Sequence, residues 1–359
     1  MKMLLRRIDW RHGLQLGVTS ALALMIALSY SQVFDRPTPL LSGLWTVLTA
    51  IVVLRGYLGG TYRMAGIRFL GIFVGAIMGG FFTSIVGTYP LSLGICIFLT
   101  VILCSLMGLK ESIRIACLSV TVVMVLEGLY PDTNPWIFSF YRFFDSVVGI
   151  LIALLVSNLL LPAKTLKKLK ENTAQILSEL SDIYRSATAF LSDDFYATTT
   201  EVPSRFLFER MQHNRVYIRE AKMELLTDAV ETEYWTKFLR ELEELLEWTS
   251  TFREMKYSAI RKILSEDLLA STIKLVATSL GTIQLLIDHL RKGTPLPPMP
   301  ELQKALDELE YQWQHYTLPE KDLPPHQLEA LILFFFDLKK ISTQLVSIAN
   351  CQIELPTNK

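Results

Sequence analysis

Two regimes of hydropathy divide the chain. From about Gly13 to Pro162 charged side chains are rare and apolar residues come in long blocks; from Lys164 onward charges are frequent and apolar positions recur at helical spacing. The first regime predicts six membrane-spanning helices, at about 14–33, 40–54, 65–86, 91–107, 113–129 and 140–161, since roughly 20 apolar residues cross the hydrocarbon of a bilayer. The glycine- and arginine-bearing stretch 55–63 reads as a loop before the third span. Pro162 closes the sixth span, because proline cannot continue the hydrogen-bond ladder of a helix. The first run is too long for a signal peptide, lacks a small-residue cleavage site and is followed by further spans.

The second regime begins with Leu166, Leu169, Thr173, Ile176, Leu180, Ile183, Ala187 and Phe190, a 3-4-3-4 stripe suited to a helical bundle. The polar run SDDFYATTTEVPS interrupts it. Amphipathic helices follow at roughly 204–227, 231–260, 267–291, 300–316 and 325–348, with GTPLPPMP as a stiff linker before the fourth of these. No strand-like alternation persists anywhere. The reading is an all-α membrane protein: a six-helix transmembrane domain over 1–163, then a cytoplasmic helical domain over 164–359.

Within the apolar half one motif returns. Gly71, Gly75 and Gly79 share a helix face, the small-xxx-small pattern that lets another helix approach closely, and Arg68 lies three residues before the first of them. Seventy-four positions later RFLGIFVG reappears as RFFDSVVG, which pairs Arg68 with Arg142, Phe69 with Phe143, Val74 with Val148 and Gly75 with Gly149. A second echo, VLRG at 53–56 and VLEG at 125–128, has an offset of 72 and pairs Thr49 with Thr121 and Arg55 with Glu127. Lys and Arg cluster in the N-terminal tail, in the 2–3 and 4–5 connections and after the sixth span, which predicts both termini on the cytoplasmic side. Three spans per copy make the repeat inverted, a plan found in many transporters.

These features resemble the fusaric acid resistance and aromatic acid exporter family and, more distantly, the plant aluminium-activated malate transporters. The resemblance rests on Trp45-x3-Thr49, on Arg68-x2-Gly71-x3-Gly75, on the second copy Arg142-x6-Gly149, on Pro162, and on six spans followed by a helical domain. Two positions depart from the family pattern: Ile72 stands where threonine is common, and Asp145 stands where the first copy has Gly71. The resemblance implies an inner-membrane exporter of organic anions, aromatic carboxylates in particular, with a periplasmic membrane-fusion protein as a possible partner. Many bacterial members carry two such units in one chain. This chain carries one, which implies a homodimer.

Several residues are candidates for the transport path. Arg68 and Arg142 would line it electropositively, guanidinium being suited to bidentate carboxylate contact; the plain alternative for Arg68 is snorkelling from a helix end. Asp145, three residues after Arg142, either neutralises that arginine as an i,i+3 pair or couples transport to protons. Glu127 is the other candidate carboxylate, or marks the outer end of its span. Trp45, Phe69, Tyr141 and Phe143 can stack on an aromatic substrate or anchor the helices in lipid. Gly71, Gly75 and Gly149 either pack helices or expose backbone, and Thr49 lies near them.

Composition narrows the alternatives. Lys plus Arg equals Asp plus Glu at 35 each, which gives no electrostatic footprint for nucleic acid. The four cysteines and five histidines have no metal-ligand spacing. No phosphate-binding loop or nucleophile elbow appears, so no cofactor, metal or enzymatic activity is expected, and export would draw on the proton gradient. Two other readings remain: a passive organic-anion channel, and a membrane scaffold whose cytoplasmic domain binds a partner.

Overall fold

The computed structural model describes residues 10–34, 36, 38–129, 134–191, 204–224, 228–254, 260–293, 296, 298–317 and 324–353. The basic tail before Trp10, most of the polar run after Leu191 and part of the proline linker lie outside them, as does the side chain of Glu127. The described elements are all helical. The chain forms two compact units: residues 1–165 with 223–225, and residues 166–222 with 226–359.

The first unit contains α1 (Trp10–Val33), α2 (Pro39–Val53), α3 (Leu58–Val86), α4 (Pro90–Leu106), α5 (Ile113–Leu129) and α6 (Pro135–Leu159). By length and composition α1, α3 and α6 can each cross a membrane, while α2 and α4 are shorter apolar helices. Two helices start earlier than their hydropathy indicates. The Gly59–Gly60 stretch, read from sequence as loop, is the first turn of α3. Its exposed donors are satisfied: the Gly59 N–H bonds the Glu224 carboxylate and the Thr165 hydroxyl, both at 3.1 Å. A carboxylate at a helix N-terminus meets both the orphan N–H groups and the positive end of the dipole. Asn134 caps α6 by accepting from the Trp136 N–H at 2.9 Å, ahead of Pro135, whose missing N–H is harmless at a first helical position.

α6 stops two residues sooner than expected, at Leu159. Leu161 then takes a left-handed φ of 53° before Pro162. Carbonyls left open at this end accept from α1: Gln15 donates to Leu160 at 2.6 Å and Arg11 to Leu161. The polar residues of α1 thus complete the backbone of α6.

The helix pairing is reciprocal. α3 packs on α5 and α6 packs on α2, while α3 and α6 also meet each other. The glycines set both approaches. A Cβ at Gly75 would stand 2.4 Å from the Ala116 carbonyl oxygen and 2.6 Å from the Ser119 Cβ. At Gly149 it would stand 2.5 Å from the Thr46 carbonyl oxygen and 3.0 Å from the Thr49 Cβ. Gly71 and Gly79 are closed in the same way by Ser112, Ile115 and Val123.

The second unit holds α7 (Thr165–Thr188), which begins at its boundary, then α8 (Ser204–Ala221), α9 (Ala229–Glu254), α10 (Glu266–Lys292), α11 (Pro300–Gln314) and α12 (Pro325–Ile353). The 3-4-3-4 stripe of α7 is buried from Leu166 to Ile183, with Ala187 and Phe190 partly buried. It packs into one core with Trp235, Phe238, Phe252 and Phe334. α10 is also long and apolar enough to cross a membrane. Within this unit it buries Leu268, Leu275, Ile283, Leu286 and Ile287, and a helix enclosed by its neighbours is apolar over much of its surface for that reason alone.

Candidate functional site

The two arginine motifs come together where α3 meets α6. Phe69 and Phe143 lie edge to face with ring centroids 5.5 Å apart, and Phe73 reaches Phe143 at 5.7 Å. Arg68 directly precedes Phe69 in α3, as Arg142 precedes Phe143 in α6. Arg68 is half-buried, eleventh in a 29-residue helix and so well inside it.

Arg142 is 4% exposed. Its guanidinium lies over the Trp45 ring at 4.0 Å to the centroid, a cation–π contact that gains strength away from water. Its Nη1 donates to Ser146 Oγ at 3.0 Å, and Ser146 donates back to the Arg142 carbonyl. Thr49 donates to Ser146 at 3.4 Å and also packs on Gly149. Thr49 therefore supports Arg142 through Ser146.

Three donors here have no acceptor among the described residues: Arg68 Nε, Arg142 Nε and Trp45 Nε1. Neither arginine forms an ion pair there. Removing a cation from water without a counter-charge costs several kcal/mol, and of the two arginines Arg142 is the one almost wholly removed from it.

Asp145 does not pair with Arg142, so the i,i+3 ion pair expected from sequence is absent. Its Oδ1 accepts from Arg36 Nη1 at 2.5 Å and from the Tyr30 hydroxyl at 2.7 Å. Side chains on a helix lean toward its N-terminus, and Asp145 meets Arg36 from the α1–α2 connection. Arg36 is buried, donates to Ser42 at 3.0 Å, and lies against Tyr141, Tyr30 and Phe144 at 4.2, 4.8 and 5.3 Å. Tyr30 also bonds Thr46 at 3.1 Å. Arg142 and Asp145 thus have different direct partners: Arg142 lies on Trp45 and Ser146 without an ion pair, and Asp145 pairs with Arg36 among aromatic rings, where Arg36 Nε is itself left without an acceptor among the described residues.

Of the predicted site residues, Arg142, Trp45 and Thr49 converge, Arg68 stands on the facing helix α3, and Asp145 lies one helical turn from Arg142 with a different partner. Gly71, Gly75 and Gly149 face neighbouring helices, where they act in packing. Arg36 is not among the residues that sequence patterns single out, since it lies in the short connection between α1 and α2. Its one sequence signal is that it is a basic residue in a largely apolar stretch, near Tyr30.

This apolar unit can be placed among known proteins. Residues 14–156 match the fusaric acid resistance protein-like family. The matched stretch runs from α1 to near the end of α6, so it takes in both arginine motifs and Arg36. Within it the chain is also similar to a UPF0421 protein of Oceanobacillus iheyensis, 26% identical over 140 residues. That similarity covers 39% of this chain and 39% of the relative, so this chain spans well under half of the curated protein it matches. The fusaric acid resistance protein-like region and its apolar helices make this a membrane protein.

Proposed function

We propose that the protein exports organic anions, aromatic carboxylates in particular, from the cytoplasm across the inner membrane. The observation that carries this reading is buried Arg142, without an ion pair among the described residues, its Nε unpartnered and the Trp45 ring against it, with Arg68 on the facing helix α3. A carboxylate would supply the missing charge and acceptors, and Trp45, Phe69 and Phe143 would offer ring faces to an aromatic body.

The reciprocal packing of α3 on α5 and α6 on α2 supports a six-span inverted repeat, and the Lys/Arg bias of the connections supports cytoplasmic termini with a cytoplasmic helical domain after the spans. Arg68 and Arg142 would then act at one level of the path, a single binding station between its two ends. Asp145, bonded to both Arg36 and Tyr30, is the carboxylate best connected to couple transport to the proton gradient. A homodimer would bring two such units together, and a periplasmic membrane-fusion protein would extend the route.

Flux of labelled benzoate and malate into proteoliposomes, with and without an imposed pH gradient, tests the proposal. Accumulation of benzoate against its own gradient is the expected result. Equilibration alone would make the protein a channel. No flux of either anion would overturn the reading and leave a scaffold.

A further inference from the structure

The second unit contains an open groove between α8 and α9, with a volume of about 1200 Å³. Arg215, Arg219 and Lys222 line one wall; Lys237 and Arg240 line the other. Arg215 is already neutralised by Glu243, with Nε–Oε1 and Nη2–Oε2 distances of 2.6 and 2.5 Å. The other four cations make no side-chain hydrogen bond or ion pair among the described residues. Glu233 is the remaining acidic residue of the lining.

Exposed cations are ordinary where they are scattered or paired. Elsewhere in this unit Arg210 pairs with Glu179, Lys274 with Glu308 and Lys339 with Glu310, while Arg291 and Lys304 are exposed and lie on different helices. In the groove Arg219 and Lys222 stand three positions apart on one wall, as Lys237 and Arg240 do on the other. Four like charges converging on one concave space repel each other unless an anion lies among them. Buried Ile218, Thr232 and Leu239 form a small floor beneath them.

We infer that this groove binds a compact, phosphate-bearing polyanion. Four free cations exceed the charge of a single carboxylate, and two arginine forks match tetrahedral oxyanions while two lysines add point charge. The volume leaves room for an organic body beside the phosphates. The site lies wholly within the second unit and does not depend on the transport reading. Its phosphate comes either from a soluble phosphorylated compound or from a phospholipid headgroup.

The test uses the full-length chain in neutral detergent, with pyrophosphate titrated calorimetrically. The groove variant Arg219→Ala/Arg240→Ala is compared with Arg291→Ala/Lys304→Ala, which removes equal charge elsewhere on the same unit. Saturable binding that weakens roughly tenfold or more in the groove variant alone supports a soluble ligand. If pyrophosphate does not bind, the chain is melted in nanodiscs of phosphatidylglycerol and of phosphatidylcholine. Stabilisation specific to phosphatidylglycerol that disappears in the groove variant alone assigns the headgroup. If neither probe separates the groove variant from the control, the site is refuted.

Discussion

Phe69 and Phe143, separated by 74 positions in the chain, touch edge to face at 5.5 Å. They occupy the same place in the two copies of the arginine motif. In the proposed inverted repeat, equivalent residues meet only near the axis that relates the copies, and the α3–α6 crossing would hold that axis. The glycine contacts have the same form on either side: Gly75 approaches a carbonyl and the residue three further on in α5, and Gly149 does so in α2. That correspondence pairs Thr49 with Ser119, two residues from the Thr121 selected by the VLRG and VLEG echo.

The arginine pair makes the most direct prediction. Arg68→Ala and Arg142→Ala should each weaken benzoate binding roughly tenfold, the scale of one charge-assisted contact. Arg→Lys at either position should restore the charge and recover binding only in part, because the planar fork is lost. Calorimetry in detergent measures both. Unchanged affinity in the double alanine variant would remove these arginines from the site.

The Arg36–Asp145 ion pair should show its burial. Arg36→Ala leaves a carboxylate without its counter-charge and should destabilise the first unit by about 3–5 kcal/mol. Arg36→Met combined with Asp145→Leu should recover much of that loss, since an apolar pair leaves no unpartnered charge. Melting temperatures of the wild type and these two variants in one detergent check both expectations. In proteoliposomes, Asp145→Asn should abolish accumulation driven by a pH gradient while leaving equilibration intact.

Packing glycines and free glycines should respond with opposite sign. Gly75→Ala and Gly149→Ala place a methyl against backbone carbonyls and should destabilise by about 1–3 kcal/mol or more. Gly66, on the same helix as Gly75, has nothing within 4 Å of the position its Cβ would take. Gly66→Ala should be neutral or stabilise by up to about 1 kcal/mol through helix propensity. Thermal unfolding monitored by circular dichroism distinguishes them.

Glu224 accepts from the Gly59 N–H at 3.1 Å, from the Thr165 N–H at 2.8 Å and from the Thr165 hydroxyl. Glu224→Ala should cost about 2–3 kcal/mol, as expected for hydrogen bonds to a buried charge. Glu224→Gln keeps an acceptor oxygen and should cost less. Hydrogen exchange at the start of α3 gives a local readout: amides near Gly59 should exchange faster in the alanine variant.

The sequence by itself determined the helices and their faces. The α5 run was legible from Ile113 to Leu129, the α7 stripe from Leu166 to Ile183, and the repeated Arg-Phe motif marked the residues that meet at the α3–α6 crossing. Such features follow from periodicity and chain-local chemistry, which any window of sequence displays. The tertiary structure alone decided the partners. Asp145 finds Arg36 across 109 positions instead of Arg142 across three, Gly149 rests on the backbone at Thr46, and Glu224 allows α3 to begin in a glycine-rich stretch. Each of these depends on two distant segments arriving within a few ångströms. Charge neutralisation and close packing act only at that range, and hydropathy along the chain carries no record of it.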